Sequence, residues 1–399
     1  MKNKSFYFIW AGQSIANLGD SFYVLVLTLW TYQLTDSAFA ASLVAMMQFV
    51  GQSVSAVFIP VFTSKYSLKK ILIFLQLSQT ILLAGLIALF SINLEIVMIA
   101  FFFLIVLMMS LLDGGTIPVR NSMIPRFVSK NVLLKANSLV LTSDQIVRLL
   151  GWLLGGMLAQ WLGAQWLLTV TLILYGTSTL SLFFIIDTGK EDPEPKEKYS
   201  FMDKLLSGWK AIYQMPDIRM LTILEMLSMC GRSIWTGAII LVYVNEVLHK
   251  SETWWGFINA SYFAGTITGG VLVWKFSNKI RKSLFAMILW TSLAIGAATL
   301  ALALNRYALA SLCVVFILGP AFQLRGIAIR TYVQERIQDN MLPKVLSAQH
   351  TLSTFVYGLS ILIMSSITDI YGVQYVFFTN FFIFLISAIL SLKLKNEQL

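Results

Sequence analysis

Apolar runs of 20 or more residues recur from one end of the chain to the other, separated by short polar stretches. A helix needs about 20 apolar residues to cross a bilayer, and no soluble core requires so many such runs. The pattern predicts twelve spanning helices at about 6–33, 37–63, 71–92, 95–118, 136–161, 165–186, 217–247, 253–275, 283–304, 307–330, 345–368 and 372–392. The longest polar stretch, about 187–214, is too short to fold alone. It opens with a Pro-containing linker, Lys190-Glu191-Asp192-Pro193-Glu194-Pro195. Ser200 then reads as a helix cap with Asp203 three residues on, and Phe201, Leu205, Trp209 and Ile212 follow on one face. That helix is expected to lie along the membrane surface until Pro216, either as a coupling element or as a solvated tether. The predicted fold is an all-α polytopic membrane protein.

Composition agrees: of 399 residues 57% are hydrophobic and 12% charged, where an ordinary soluble domain is about 25% charged. The placement of charge then fixes orientation. With both termini on one side, 24 of the 29 Lys and Arg residues fall in the segments of that side, and only Lys250 and Arg306 on the other. By the positive-inside rule both termini are expected in the cytoplasm of a multi-pass protein of the cell (inner) membrane. The net charge of +10 is thereby a topology signal, not a nucleic-acid footprint. Trp254 and Trp255 sit where aromatic anchors mark the outer interface. The basic start Met1-Lys2-Asn3-Lys4 leads into an apolar segment longer than a signal core, without a small-residue cleavage site. Cys230 and Cys313 lie inside apolar segments and read as packing residues, and His249 and His350 are too few for a metal cluster. No cofactor is expected.

The two halves repeat at an offset of 210 to 212 residues. FTSKYSLKK (62–70) falls on WKFSNKIRK (274–282), and NLGD (17–20) on MCGR (229–232). RNSMIPRFVSKNVLLKANS (120–138) falls on RTYVQERIQDNMLPKVLSA (330–348), pairing Arg120 with Arg330 and Arg126 with Arg336. Three matches in one order at nearly the same offset imply six-helix halves at 1–186 and 217–399 joined by a linker at 187–216. Parallel repeats with a substrate site near the midplane are a transporter design.

A charge at bilayer depth costs about 2.5–3.5 kcal/mol even on permissive scales, so it must face a wet cavity or a partner. The first helix of every three-helix unit carries at least one: Asp20, Asp113, Glu225 with Arg232, and Arg325. The third of every three carries none, so spans 3, 6, 9 and 12 are expected to face lipid and spans 1, 4, 7 and 10 to line a polar cavity. Asp20 lies about 21 Å along its helix from Phe6, near mid-span. It is a proton-coupling candidate or half of an ion pair, Arg232 being its counterpart in the repeat. Glu225 and Asp113 are further proton-coupling candidates. Arg232, Arg325, Tyr23 and Trp235 are substrate-cavity candidates. Asp113 and Arg325 lie nearer the cytoplasmic ends and alternatively gate the inner mouth. Phe22, Trp30 and Tyr243 suit either a large apolar solute or plain packing. Asp144 and Arg148 stand one turn apart and read as an intrahelical pair. The small-residue patterns Gly151/Gly155/Gly156 and Gly265/Gly269/Gly270 suggest a seam between spans 5 and 8. Lys69, Lys70, Arg281 and Lys282 are gate candidates at the repeated loop.

The stretches FYFIWAGQSIANLGDSFY (6–23), YQLTDSAFAASLV (32–44), MIPRFVSKNVLLKANSL (123–139), RLLGWLLGG (148–156) and FMDKLLSGWKAIYQMPDIRML (201–221) are similar to the major facilitator superfamily. More narrowly, the whole chain resembles its twelve-helix efflux branch, which includes macrolide exporters of Gram-positive bacteria. The resemblance implies alternating access by two pseudo-symmetric six-helix halves, usually driven by proton antiport, with extrusion of drugs or other amphipathic compounds. There are departures. Thr63-Ser64-Lys65-Tyr66 before Lys69 and Lys70 holds no carboxylate, where the family carries an Asp-Arg pair. Gly151 is followed by Trp152, where exporters have proline.

Two transport readings stand: a proton-coupled exporter of amphipathic drugs, and an exporter of a polar or anionic metabolite such as a siderophore, favoured by three arginines inside spans. A membrane enzyme or a non-transporting sensor lacks a nucleophile–base pair, a metal cluster and a catalytic domain. No nucleotide-binding loop is present. The expected partners are a small-molecule substrate, protons and the lipid bilayer, not nucleic acid, for a chain acting as a monomer.

Overall fold

The computed structural model describes residues 3–35, 38–90, 97–187, 201–235, 237–251, 253–281 and 284–396. Within them the regular elements are helices. The first six are α1 (Lys4–Thr35), α2 (Ala38–Thr63), α3 (Leu68–Phe90), α4 (Val97–Phe127), α5 (Lys130–Leu162) and α6 (Ala164–Phe183). The short α7 (Phe201–Gln214) is followed by α8 (Pro216–Arg232), a 3-10 turn (Ser233–Trp235), α9 (Gly237–Val242) and a π-helical turn (Tyr243–Val247). The chain ends with α10 (Thr253–Ile280), α11 (Leu284–Leu304), α12 (Ala308–Arg336), α13 (Leu342–Tyr371) and α14 (Val373–Asn396).

Among the described residues nine helices are long and apolar enough to cross a membrane. The pair Pro216–Trp235 and Ile239–Val247, inclined at 51°, makes a tenth as one broken span. The other two spans are α1 and α5, 32 and 33 residues long. Gln13, Asn17 and Asp20 in α1, and Lys135, Asp144 and Arg148 in α5, dilute their apolarity. The twelve predicted spans are thus present, and α7 falls where the linker helix was expected. Ser200, its expected cap, and the linker Lys190–Pro195 lie outside the described residues. Pro216 opens α8 at its first turn, where a missing N–H costs nothing.

The repeat is visible in the packing. In the first half α1 packs on α6, α2 on α4, and α3 on both α4 and α6. In the second, α8 packs on α14, α10 on α12, and α11 on both α12 and α14. The junctions match as well. Gly163 (φ 80°) separates α5 from α6, and Gly372 (φ 94°) separates α13 from α14. Both take the left-handed backbone that a side chain resists.

Packing divides the chain into two compact units. One comprises Met1–Ser129, Ile146–Trp209 and Gln338–Thr351; the other comprises Lys130–Gln145, Lys210–Ile337 and Leu352–Leu399. The outer stripes are apolar and exposed, as on α6 with Trp166, Ile173 and Leu180 seven residues apart. On α7, Phe201, Met202, Leu206 and Tyr213 are exposed, while Gly208 is buried against the Lys344 carbonyl and Ala348 of α13. Phe201 was expected on the same face as Ile212, yet only Ile212 is buried.

The glycines sit at helix crossings, but the predicted seam between spans 5 and 8 is largely replaced by contacts with other helices. Gly151 and Gly155 of α5 lie against Ser21 and Phe22 of α1. Gly265 and Gly269 of α10 lie against Phe316 and Pro320 of α12. Only Gly270 meets α5, at Thr142, with Ser138 donating to its carbonyl. Gly156 faces open space. A Cβ at Gly319 would strike the α10 backbone at Tyr262, Gly265 and Thr266. Gly319→Leu is therefore expected to cost about 1–3 kcal/mol through overpacking and to lower the melting temperature of detergent-purified protein. Gly156→Ala should leave it unchanged. Equal melting of the two variants would contradict the close α10–α12 crossing.

Candidate functional site

The first unit gathers its polar residues around α1 and α4. Asp20 on α1 accepts a hydrogen bond from the Tyr175 hydroxyl of α6. The approach is possible because residue 19 is glycine: a Cβ there would run into the Tyr175 ring. Asp113 on α4 accepts from Gln52 Nε2 of α2 at 2.7 Å and also bonds Gln79 of α3. The two carboxylates feel one another and buried Arg120 electrostatically. Tyr23, one turn beyond Asp20, is 3% exposed, and its hydroxyl lies near both acids without a hydrogen-bond partner. Two acids, two tyrosine hydroxyls and an arginine so placed can accept, hold and pass a proton.

The second unit gathers arginines instead. Arg325 on α12 is 1% exposed, and all five of its N–H groups have acceptors. Nε donates to Ser228 Oγ at 2.6 Å, and one terminal nitrogen donates to Ser292 Oγ and to the Ile288 carbonyl at 3.3 Å. The other donates to the Leu224 carbonyl at 3.0 Å and to Ser387 Oγ at 2.7 Å. The guanidinium therefore ties α12 to α8, α11 and α14, with half-buried Glu225 as the acid whose charge it feels. Proposed from sequence as a cavity or gate residue, Arg325 has every donor committed within the fold. Tyr243 is likewise pinned, its hydroxyl shared with Ser311 at 2.9 Å and donated to the Asn305 carbonyl at 3.3 Å.

Arg232 differs. It ends α8 at the break of the seventh span, and its guanidinium lies 5.5 Å from the Phe322 ring centroid, near Gly326. Its Nε is buried without a hydrogen-bond partner. Trp235 closes the 3-10 turn and stacks on Tyr262 at 5.1 Å and 10°, and its indole N–H is also buried without a partner.

Helices α3, α6, α11 and α14, the spans expected to face lipid, also contribute from their inner faces. Tyr175 of α6, Gln79 of α3, Ser292 of α11 and Ser387 of α14 all turn inward and complete these clusters. Counting ionisable residues missed them because their neutral polar tips leave a span apolar on average.

The residues near the helix ends tie one element to another within each unit. Lys69 Nζ donates to the Phe183 carbonyl at 3.1 Å, so a lysine caps the end of α6 in the loop that lacks a carboxylate. Lys70 is exposed. Arg281, the repeat counterpart of Lys69, pairs with Glu335 at 3.2 Å and donates to Asn131. Lys282 lies outside the described residues. The matched arginines Arg126 and Arg336 each find an aspartate, Asp187 at 3.3 Å and Asp217 at 2.8 Å. Asp144 is half-buried and Arg148 exposed on α5, which runs unbroken from Lys130 to Leu162.

Twelve spans in two halves that share their main helix pairings, with charged clusters held inside each half, define a membrane carrier of the secondary-transporter class. The chain belongs to the Major Facilitator Superfamily, which it matches over residues 9–352. It is 30% identical over 391 residues to the uncharacterized MFS-type transporter YfmI of Bacillus subtilis, covering 97% of this chain and 95% of that one. It is 28% identical over 396 residues to the uncharacterized MFS-type transporter YjbB of the same organism, covering 98% and 96%. Similar solved structures share the fold at low identity. A bacterial homologue of the iron transporter ferroportin, in an outward-facing state, gives a TM-score of 0.80 at 13% identity over 98% of this chain and 99% of that one. FucP in its outward conformation gives 0.77 at 12% over 98% of each chain. The human organic anion transporter MFSD10 gives 0.75 at 14% over 97% and 98%.

Replacing Arg325 by lysine leaves three donors for five acceptors on three helices. Each charge-assisted bond lost is worth about 1.5–3 kcal/mol. Arg325→Lys should lower the melting temperature and the yield of monodisperse protein. Unchanged melting would show that the clamp does not stabilise the second unit.

Proposed function

We propose that the chain is a proton-coupled exporter of small amphipathic compounds, of the macrolide or multidrug type. It works by alternating access as a monomer in the cell membrane, with both termini in the cytoplasm. The observation that carries this reading is the Asp20–Tyr175 pair, with Asp113 and the unpartnered Tyr23 hydroxyl beside it. A carboxylate at mid-span, held by one tyrosine and neighbouring a second acid, exchanges a proton at low cost once water or substrate reaches it. Glu225 on α8 is the further candidate in the other half. Export and drug-type substrates rest on the resemblance to the efflux branch. The alternative cargo, a polar or anionic metabolite, is favoured by the unmet donors around Arg232.

Purified protein in liposomes holding a pH-sensitive dye, under an imposed proton gradient, tests the coupling. Macrolides, cationic dyes and iron-chelating anions are added in turn. Substrate-dependent proton movement is expected for the wild type and is expected to vanish in Asp20→Asn. Binding without proton movement for every compound would remove proton coupling and leave Asp20 a structural or substrate-contacting residue.

A further inference from the structure

The two clusters occupy equivalent positions of the repeat. At the offset of 212 residues that matches NLGD with MCGR, Asp20 falls on Arg232 and Tyr23 on Trp235. At the offset of 210 that matches the ends of α4 and α12, Asp113 falls on Gln323. The supporting architecture is shared. Gly19 admits the ring of Tyr175 from α6, and Gly231 admits the ring of Phe384 from α14, the equivalent helix. What changes is the sign of the chemistry. Two carboxylates in the first unit are replaced in the second by a guanidinium and a carboxamide.

The second-unit groups are donors without acceptors. Arg232 Nε, Trp235 Nε1 and Gln323 Nε2 are all buried, and none has a hydrogen-bond partner. A buried donor left unmet is costly, more so when charged, so these three in one unit, with the unmet Asn380 Oδ1 against Gly231 as a nearby carboxamide oxygen, call for a further acceptor. Arg232 and Trp235 lie three residues apart at the helix break. Gln323 follows Phe322, over whose ring Arg232 lies, and stands one turn before Gly326, which sits beside the guanidinium. The charge balance points the same way: Arg232 and Arg325 both act on this core, against Glu225. Broken spans are where carriers of this kind present groups to a charged solute. The surround is aromatic: Trp235 stacks on Tyr262, and Tyr262 and Phe322 meet edge-on at 6.4 Å.

We propose that Arg232, Trp235 and Gln323 form an anion subsite that takes a carboxylate of the transported compound, with its apolar body against Trp235, Tyr262 and Phe322. The cargo is then an amphipathic organic anion. This rests on the reading of the chain as a transporter of amphipathic compounds and deepens it, while standing apart from proton coupling.

The test compares two probes of one apolar body and opposite charge, 1-naphthoate and 1-naphthylmethylammonium, by tryptophan-fluorescence titration of the full-length protein in detergent and by flux in liposomes. Saturable binding of naphthoate, and none of the ammonium, is expected. Arg232→Gln should weaken naphthoate by roughly 10- to 100-fold, the loss of one charge-assisted bond. Trp235→Phe keeps the ring and removes only the N–H, so it should weaken naphthoate by roughly 2- to 10-fold, and it serves if Arg232→Gln does not fold. Fluorescence anisotropy of the probe replaces the tryptophan signal in that variant. Preference for the ammonium, or naphthoate binding unchanged in whichever variants melt like the wild type, would overturn the subsite. Arg232-dependent naphthoate binding without proton movement would support the subsite while refuting the proton-coupled reading. Asp20-dependent proton movement with cations alone would do the reverse.

Discussion

Hydrocarbon offers no hydrogen bonds, so each charge carried into a span must be met by the protein itself or by what the protein admits. Much of this structure follows from that constraint. Arg325 brings a full positive charge into the second unit and is met by three serine hydroxyls and two backbone carbonyls from α8, α11 and α14. The same bonds that make the charge tolerable lock four helices together. In the first unit Asp20 is met by Tyr175, and Asp113 by Gln52 and Gln79. The helices with the most lipid-like composition supply several of these partners, and each buries two or more polar side chains on its inner face.

Against that background a donor left unmet is informative. The fold satisfies all five N–H groups of Arg325, yet leaves Arg232 Nε, Trp235 Nε1 and Gln323 Nε2 without acceptors in the same unit. One arginine is fully bonded into the scaffold, and the other keeps a buried N–H unmet. The repeat sharpens the contrast. Helix pairing, junction glycines and the glycine beside each mid-span charge are common to both halves. The polarity of three side chains is not. A scaffold built by backbone approach and apolar packing is insensitive to what those three positions carry, so one architecture holds an acidic cluster in one half and a basic one in the other.

Much of this was legible along the chain. Twelve spans, a short helix between the halves, the repeat and the charged residues inside the spans could all be read from apolar run length and residue spacing. The site was legible only in part. Asp20, Asp113, Arg232, Tyr23 and Trp235 stood out because polarity at bilayer depth is rare. Tyr175 did not, since a phenol in an apolar helix leaves no mark on composition. Gln323 was within reach, because extending the α4–α12 alignment places it on Asp113. The glycine pairs signalled close approach but not the partner: spacing on α5 cannot say that Gly151 meets α1, nor spacing on α10 that Gly265 and Gly269 meet α12.

The sequence by itself determined the solvent, the number of spans and the depth of each charge. These are one-dimensional properties: apolar length against bilayer thickness, and distance along a helix. Only the tertiary structure decided which charges are spent and which remain. Arg232 and Arg325 are the same residue type at similar cost in lipid. Their difference lies in whether serines and carbonyls from other helices converge on the guanidinium. Hydrogen bonding has a reach of about 3 Å, and no pattern along one helix fixes what another brings within that distance.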